Sequence, residues 1–118
     1  MTTSDKQANF LIDVARLIFW LSSNGYKATG GELYRTAFQQ REFMRLGLSN
    51  ANHSQHQDKL AIDLNIWIDG DLMWQVEKNE LKNKMQPVGD FWESLREGNR
   101  WGGNFNSIFD PGHFEVKP

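Results

Sequence analysis

The segment "LAIDLNIWIDG", residues 60–70, carries the clearest secondary-structure signal in the chain. Aliphatic residues alternate there with other types, which predicts a β-strand because successive side chains of a strand point to opposite faces. One face would hold the five aliphatic side chains Leu60, Ile62, Leu64, Ile66 and Ile68. The other face would carry Asp63 and Trp67, so this carboxylate is expected at the surface or in a cleft.

Helices are predicted before this strand. Apolar residues at helical spacing indicate an amphipathic helix over residues 8–23, which ends at the stop signal Asn24-Gly25. Beyond it we expect a short extended run at residues 32–35 and a second helix at residues 36–47. Residues 48–58 are almost entirely polar and are predicted to form a loop.

The second half of the chain is expected to complete a sheet around the strand. Asp69-Gly70 is typical of a hairpin, which places a partner strand at about residues 72–76. Residues 77–85 fit either a solvated helix or an irregular excursion, and a third, short helix is predicted at residues 89–95 after Pro87. A last strand is expected at residues 113–116. The pattern predicts an α+β fold, a small antiparallel sheet flanked by helices.

Length and composition limit the number of domains and the kinds of site and partner that the protein can have. A chain of 118 residues fits a single domain, residues 1–118. The absence of cysteine excludes disulfides, thiolate metal ligands and a cysteine nucleophile. A net charge of -2 gives no reason to expect nucleic acid or an anionic membrane as partner. The polar start "MTTSDKQANF" does not resemble a secretory signal, and no membrane insertion is expected. The missing signal predicts synthesis in the cytoplasm. We also expect a monomer.

Two distant segments contain a possible set of metal ligands. His56 precedes the predicted strand that carries Asp63, and Asp110 and His113 flank a Pro-Gly turn near the end of the chain. A catalytic zinc ion keeps three protein ligands, usually histidine nitrogens and carboxylate oxygens, and a further carboxylate can serve as general base. His53 is as available as His56, and spacing alone does not choose between them.

Three ordered motifs resemble a known family of peptidases. They are "YRTAFQQ" at residues 34–40, "SQHQDKLAIDLN" at residues 54–65, and the pair "WGGNF" at 101–105 with "DPGHFE" at 110–115. This order is similar to the VanY-like zinc D-alanyl-D-alanine carboxypeptidases and L-alanyl-D-glutamate endopeptidases, which include phage endolysins. The resemblance covers most of the chain, from about residue 32 to 115. It implies the hedgehog/D-Ala-D-Ala peptidase-like fold.

The resemblance implies a role for each matching residue. The Zn²⁺ ligands would be His56, Asp63 and His113, and Asp110 would be the general base. Arg35 would bind the substrate or stabilise the oxyanion. Ser54 and Gln39 would contact the peptide. His53 has no counterpart in this pattern.

Two side chains keep alternative interpretations. Glu115 could replace Asp110 as the base, or it could orient His113, because residues 113 and 115 share a strand face. Trp101 could form a wall of the substrate cleft, since the adjacent glycines let the backbone approach a ligand closely, or it could form a structural corner. Trp67 is a second candidate for the cleft wall.

The resemblance implies a peptidase that cuts the peptidoglycan stem peptide. The Asp110 form of the motif, the Trp-Gly-Gly block, the small size and the missing signal favour an L-alanyl-D-glutamate endopeptidase, as in phage or prophage endolysins. One alternative is a D-alanyl-D-alanine carboxypeptidase on the same scaffold. Another, of a different class, is a non-catalytic peptidoglycan-binding or virion structural module. No separate wall-binding domain is expected.

Overall fold

The computed structural model describes residues 1–31 and 59–117. Its two helices are α1 (Thr3–Ser23) and α2 (Lys78–Leu95). Its strands are β1 (Lys27–Gly30), β2 (Ala61–Ile68), β3 (Asp71–Leu72), β4 (Asn99–Trp101) and β5 (His113–Val116). The strands form one sheet in the order β1-β2-β5-β4, with β3 also paired to β2, and every pair is antiparallel. The predicted α+β fold is therefore confirmed.

The two faces of strand β2 differ in burial. The five aliphatic side chains predicted to share a face are all buried, four of them in β2 and Leu60 directly before it. Asp63, Asn65 and Trp67 are half-buried on the opposite face. The aliphatic face belongs to one hydrophobic cluster with residues of both helices: Phe10, Val14, Leu17, Leu21, Leu81, Met85, Val88 and Trp92. Each such side chain contributes roughly 1.5–3 kcal/mol on burial, which fixes the register of β2.

Helix α1 confirms the prediction and begins earlier than the apolar pattern indicated. Thr2 and Asp5 form a capping box, in which the threonine hydroxyl accepts from the Asp5 amide and the Asp5 carboxylate accepts from the Thr2 amide. This cap satisfies amides that are free at a helix start, so the helix gains a turn. The helix ends before Gly25, whose φ of 83° suits glycine. Neither described helix is long and apolar enough to cross a membrane.

Helix α2 corrects the prediction of a short helix at residues 89–95. The helix runs from Lys78 and includes Pro87, and residues 77–85 form its cap and first turns. Four buried side chains at helical spacing pack its whole length against the core: Leu81, Met85, Val88 and Trp92. That packing compensates for the backbone hydrogen bond that proline cannot donate. One turn before Pro87, the Tyr26 hydroxyl donates to the Lys84 carbonyl at 2.9 Å.

Two strands differ from expectation. The hairpin turn is confirmed, with positive φ at both Asp69 and Gly70, but β3 ends at Leu72 because the 3₁₀ turn Met73–Gln75 carries Met73 into the core. Strand β4 was not predicted, since three residues between glycines give little periodicity. The run, helix and loop expected over residues 32–58 lie outside the described residues.

Candidate metal and catalytic site

The pairing of β2 with β5 brings Asp63 and His113 together. The two residues are direct partners in the antiparallel register, although 50 positions separate them in the chain. Their side chains meet on the face of the sheet that lies away from the aliphatic core, and His113 Nδ1 is 2.9 Å from Asp63 Oδ1. Strand β5 begins at His113, as the sequence indicated.

Asp110 joins this pair through the turn that precedes β5. The turn is closed by a hydrogen bond from the His113 amide to the Asp110 carbonyl at 3.2 Å. One ligand atom each of Asp63, Asp110 and His113 lies within 4.8 Å of the others. The histidine is buried and both carboxylates are half-buried, so the cluster faces solvent on the carboxylate side.

Glycine at position 102 lets the turn from Asp110 to His113 pack closely against the backbone that follows β4. A Cβ there would lie 2.1 Å from the Asp110 carbonyl oxygen and 2.9 Å from the His113 Cβ, closer than atoms pack. The Asp110 amide donates to the Gly102 carbonyl at 3.1 Å. The expected close approach is therefore made to the protein's own backbone, and it places Asp110 beside His113.

Trp101 lies inside the protein. It is fully buried, its indole N–H donates to the Pro111 carbonyl at 2.8 Å, and its ring lies where a Cβ on Gly89 or Gly103 would clash. These contacts favour the structural corner over the cleft wall. The aromatic ring beside the cluster is that of Phe105, which is half-buried and 5.7 Å from the His113 ring between centroids.

Glu115 hydrogen-bonds to the ring nitrogen of His113 that lies away from Asp63. His113 Nε2 is 2.7 Å from Glu115 Oε1, and this carboxylate is buried and also accepts from Arg100. With Nε2 engaged there, Nδ1 is the ring nitrogen that faces Asp63. The arrangement favours the orienting role for Glu115 and leaves Asp110 as the better candidate for the base.

The electrostatics of the cluster favour a positive charge at the histidine. Burial lowers the pKa of His113, but the hydrogen bonds and charges of Asp63 and Glu115 more than offset burial and raise this pKa to about 9. Burial raises the pKa of Glu115, but its hydrogen bonds to His113 and Arg100 outweigh that effect and lower it. A metal ion would replace the proton on His113, since metal ligands must be deprotonated.

The described donors fit zinc. Two carboxylates and an imidazole are donor types that zinc accepts, and donors of a tetrahedral zinc site lie roughly 3.4 Å apart when each is about 2.1 Å from the metal. Asp63 Oδ1 and His113 Nδ1 already lie 2.9 Å apart and could share one ion. The Asp110 carboxylate lies within 4.8 Å of both, near enough to act on a water molecule bound to that ion.

The sequence-predicted site divides into two groups. Asp63, Asp110 and His113 are brought together, as the ordered motifs implied. His56, the other expected ligand, lies outside the described residues, as do the expected substrate-contacting residues Arg35, Gln39 and Ser54 and the alternative His53. Sequence reasoning missed Arg100, because its role depends on being opposite Glu115 in a strand that was not predicted.

The chain is similar to known peptidases. A peptidase family model described as D-alanyl-D-alanine carboxypeptidase matches residues 48–116, which include all three clustered side chains. The chain belongs to this family. No curated protein sequence matches it. The crystal structure of the Serratia marcescens L-Ala D-Glu endopeptidase ChiX is similar with a TM-score of 0.65 and 21% identity, covering 98% of this chain and 89% of that chain. This carboxypeptidase-family chain and ChiX therefore share a fold.

Proposed function

We propose that the protein is a zinc peptidase that hydrolyses a peptide bond in the stem peptide of peptidoglycan. The observation that carries this proposal is the cluster of Asp63, Asp110 and His113, formed by strand pairing in a chain of the D-alanyl-D-alanine carboxypeptidase family. The similar fold of an L-Ala D-Glu endopeptidase supports the substrate class.

Each residue of the cluster has a proposed role. Asp63 and His113 would hold the zinc ion together with His56. Zinc in such a site lowers the pKa of water toward about 7 and polarises a carbonyl group. Asp110 would take the proton of the attacking water and pass it to the leaving amine. Its half-buried carboxylate beside both ligands suits that transfer, because it reaches the cluster and still faces solvent.

The preferred bond is that between L-alanine and D-glutamate. An aspartate at position 110, the Trp-Gly-Gly block and the likeness to ChiX support this choice. The description of the matching family supports the second candidate, removal of terminal D-alanine. Incubating the protein with purified stem peptides and identifying the products would separate the two. Release of free D-alanine, with the L-Ala–D-Glu bond left intact, would overturn the preferred choice.

The test of the peptidase proposal combines metal content with lysis. We expect about one zinc per chain, and we expect clearing of permeabilised Gram-negative cells that a chelator abolishes. Asp110→Ala should lose lysis by 10²-fold or more and retain zinc, whereas His56→Ala should lose both. Asp71→Ala, which changes an exposed carboxylate in β3, is the matched control and should lyse normally.

Two outcomes would contradict the proposal. A wild-type protein without zinc would overturn the metal site, and undiminished lysis by Asp110→Ala would overturn the assignment of the base. Binding to peptidoglycan without turnover, unchanged in Asp110→Ala, would instead support a non-catalytic wall-binding or virion module.

A further inference from the structure

Four charged or polar side chains form a row across three neighbouring strands. Asp63 of β2 is opposite His113 of β5, and Arg100 of β4 is opposite Glu115 of β5. His113 and Glu115 are two positions apart and therefore share a face of the strand. The row runs Asp63, His113, Glu115, Arg100, and each member contacts the next.

Glu115 divides its two oxygens between its neighbours. Oε1 lies 2.7 Å from His113 Nε2, while Oε2 accepts from Arg100 Nε at 3.0 Å and also from Arg100 Nη2. The carboxylate is only 6% exposed, so little water is available to replace either partner. A guanidinium that donates two hydrogen bonds to one oxygen holds the carboxylate in a defined rotation.

Arg100 is itself held in place. Its guanidinium carbon lies 5.6 Å from the centroid of the Phe105 ring, within the range of a cation–π contact. The same ring is 5.7 Å from the His113 ring. The side chain of Arg100 is 45% exposed, so its charge is partly solvated while its donors point inward to Glu115.

We propose that Arg100 is a positioning residue for the metal site: it fixes Glu115, which in turn directs His113 Nδ1 toward Asp63 and Asp110. The hydrogen bond at one imidazole nitrogen sets the orientation of the other, and partners of this kind tune metal affinity. Without Arg100, Glu115 Oε2 would be buried without these two donors, and the carboxylate would turn to find others. The inference rests on the proposed zinc site and extends it to β4.

The test is the zinc affinity of the full chain, measured by competition with a chromophoric chelator. Arg100→Gln should weaken zinc binding by 10- to 100-fold, as changes to outer partners of metal ligands do. With saturating zinc, kcat should fall and KM should stay close to the wild-type value, because Arg100 is not proposed to touch substrate. Arg100→Lys keeps the charge but loses the two-pronged contact, so it should restore part of the affinity.

Arg96→Gln is the matched control. Arg96 also pairs with a buried carboxylate, that of Asp13 at 2.9 Å, but that carboxylate belongs to α1 and is not part of the row. Arg96→Gln should lower the thermal midpoint and leave zinc affinity within about twofold of wild type. Equal losses of zinc affinity in the two variants would reduce the effect to general destabilisation and overturn the proposal.

Two further measurements separate mediation through Glu115 from a direct effect of charge. Glu115→Gln should weaken zinc binding, and adding Arg100→Gln to it should cost little more, whereas additive losses would contradict the proposed path. In the zinc-loaded wild type, the ¹⁵N shifts of the His113 ring should report a proton on Nε2, and Arg100→Gln should alter them. Unchanged shifts together with unchanged zinc affinity would overturn the proposal.

Failure of this inference is distinguishable from failure of the proposed function. If the wild type binds zinc but cleaves no stem peptide, and Arg100→Gln still weakens zinc binding, the peptidase proposal fails and the role of Arg100 stands. If the wild type is an active zinc peptidase and both Arg100 variants bind zinc normally, the role of Arg100 fails alone.

Discussion

Asp13 and Glu115 are both buried carboxylates that accept hydrogen bonds from an arginine, yet they lie in different surroundings. Asp13 of α1 is fully buried and accepts from Arg96 and Asn99, and its other interactions with charged groups are again with arginine. Glu115 divides its oxygens between an arginine and the ring of His113. The partners of Asp13 lie outside the candidate metal site, whereas Glu115 contacts His113, a member of that site.

The same pair of charges can stabilise a fold or organise a site, depending on the third partner. Around Asp13 the third partner is the amide of Asn99, which also donates to the Trp92 carbonyl and so ties the start of β4 to both helices. Around Glu115 the third partner is His113, a proposed zinc ligand. Substitutions near Asp13 should therefore change stability, and substitutions near Glu115 should change metal binding.

Among single substitutions, the largest expected loss of stability is at Asp13. Asp13→Ala should lower the free energy of unfolding by about 3 kcal/mol, because it removes the buried acceptor of hydrogen bonds from Arg96 and Asn99. Zinc affinity and activity of the folded protein should not change. Urea denaturation measures the loss, with Asp90→Ala on the exposed face of α2 as a control that should change stability by less than about 0.5 kcal/mol. A loss of zinc affinity in Asp13→Ala would break the distinction between the two pairs.

A second effect concerns pH in the metal-free protein. His113 has a pKa of about 9 when folded, against about 6.5 when unfolded. Its contribution to stability is therefore complete below pH 6.5 and is lost as pH rises through 9. In the presence of chelator, stability should fall by up to about 1.4 kcal/mol per pH unit across that window.

His113→Gln provides the control for the pH effect and should flatten the dependence. The Asp13 pair should not contribute in this range, because the hydrogen bond from Arg96 to Asp13 raises the already high pKa of the arginine. Thermal midpoints between pH 6 and 9 measure the difference. An equally steep fall in His113→Gln would contradict the assignment to this histidine.

Among single substitutions, a smaller loss of stability than at Asp13 is expected at Gly102. Gly102→Ala should cost about 2 kcal/mol, since its Cβ would lie 2.1 Å from the Asp110 carbonyl oxygen and the backbone must move. Activity should fall by more than 10-fold, because the displaced residue is the proposed base. Gly30→Ala, where a Cβ meets no atom within 4 Å, should keep normal activity. Full activity in Gly102→Ala would show that Asp110 need not be placed so closely.

The fold could be predicted where one period dominated the sequence. Alternation over residues 60–68 and helical spacing over residues 8–23 each reflect a single buried face, so both elements were found. For helix α2 the sequence predicts only residues 89–95 and leaves residues 77–85 open between a helix and an irregular excursion. The local cost of Pro87 is visible in sequence, whereas the core that compensates for it is not. Strand β4 is stabilised by pairing with β5, which a run of three residues does not reveal.

The site could be predicted as a set of residues but not as an arrangement. Ordered motifs selected Asp63, Asp110 and His113 together, which spacing alone could not do. The roles of Asp110 and Glu115 could not be separated from sequence, because they depend on where each carboxylate lies around His113. Glu115 lies at Nε2, whereas Asp110 lies near Asp63 and His113 in the candidate metal site. The glycines at 102 and 103 were expected beside a ligand, and their contacts are with the protein itself.

The two faces of β2 have a consequence for how errors in folding would appear. A shift of one residue in register would turn Asp63 into the core and expose Ile62 and Leu64. Such a chain would lose its hydrophobic packing and its proposed metal ligand at once, so a stable fold with a misaligned cluster is disfavoured. Correct packing of the core therefore requires the same register of β2 that places Asp63 beside His113. A substitution that weakens the core would lower the fraction of folded, active molecules and leave the activity of each folded molecule unchanged.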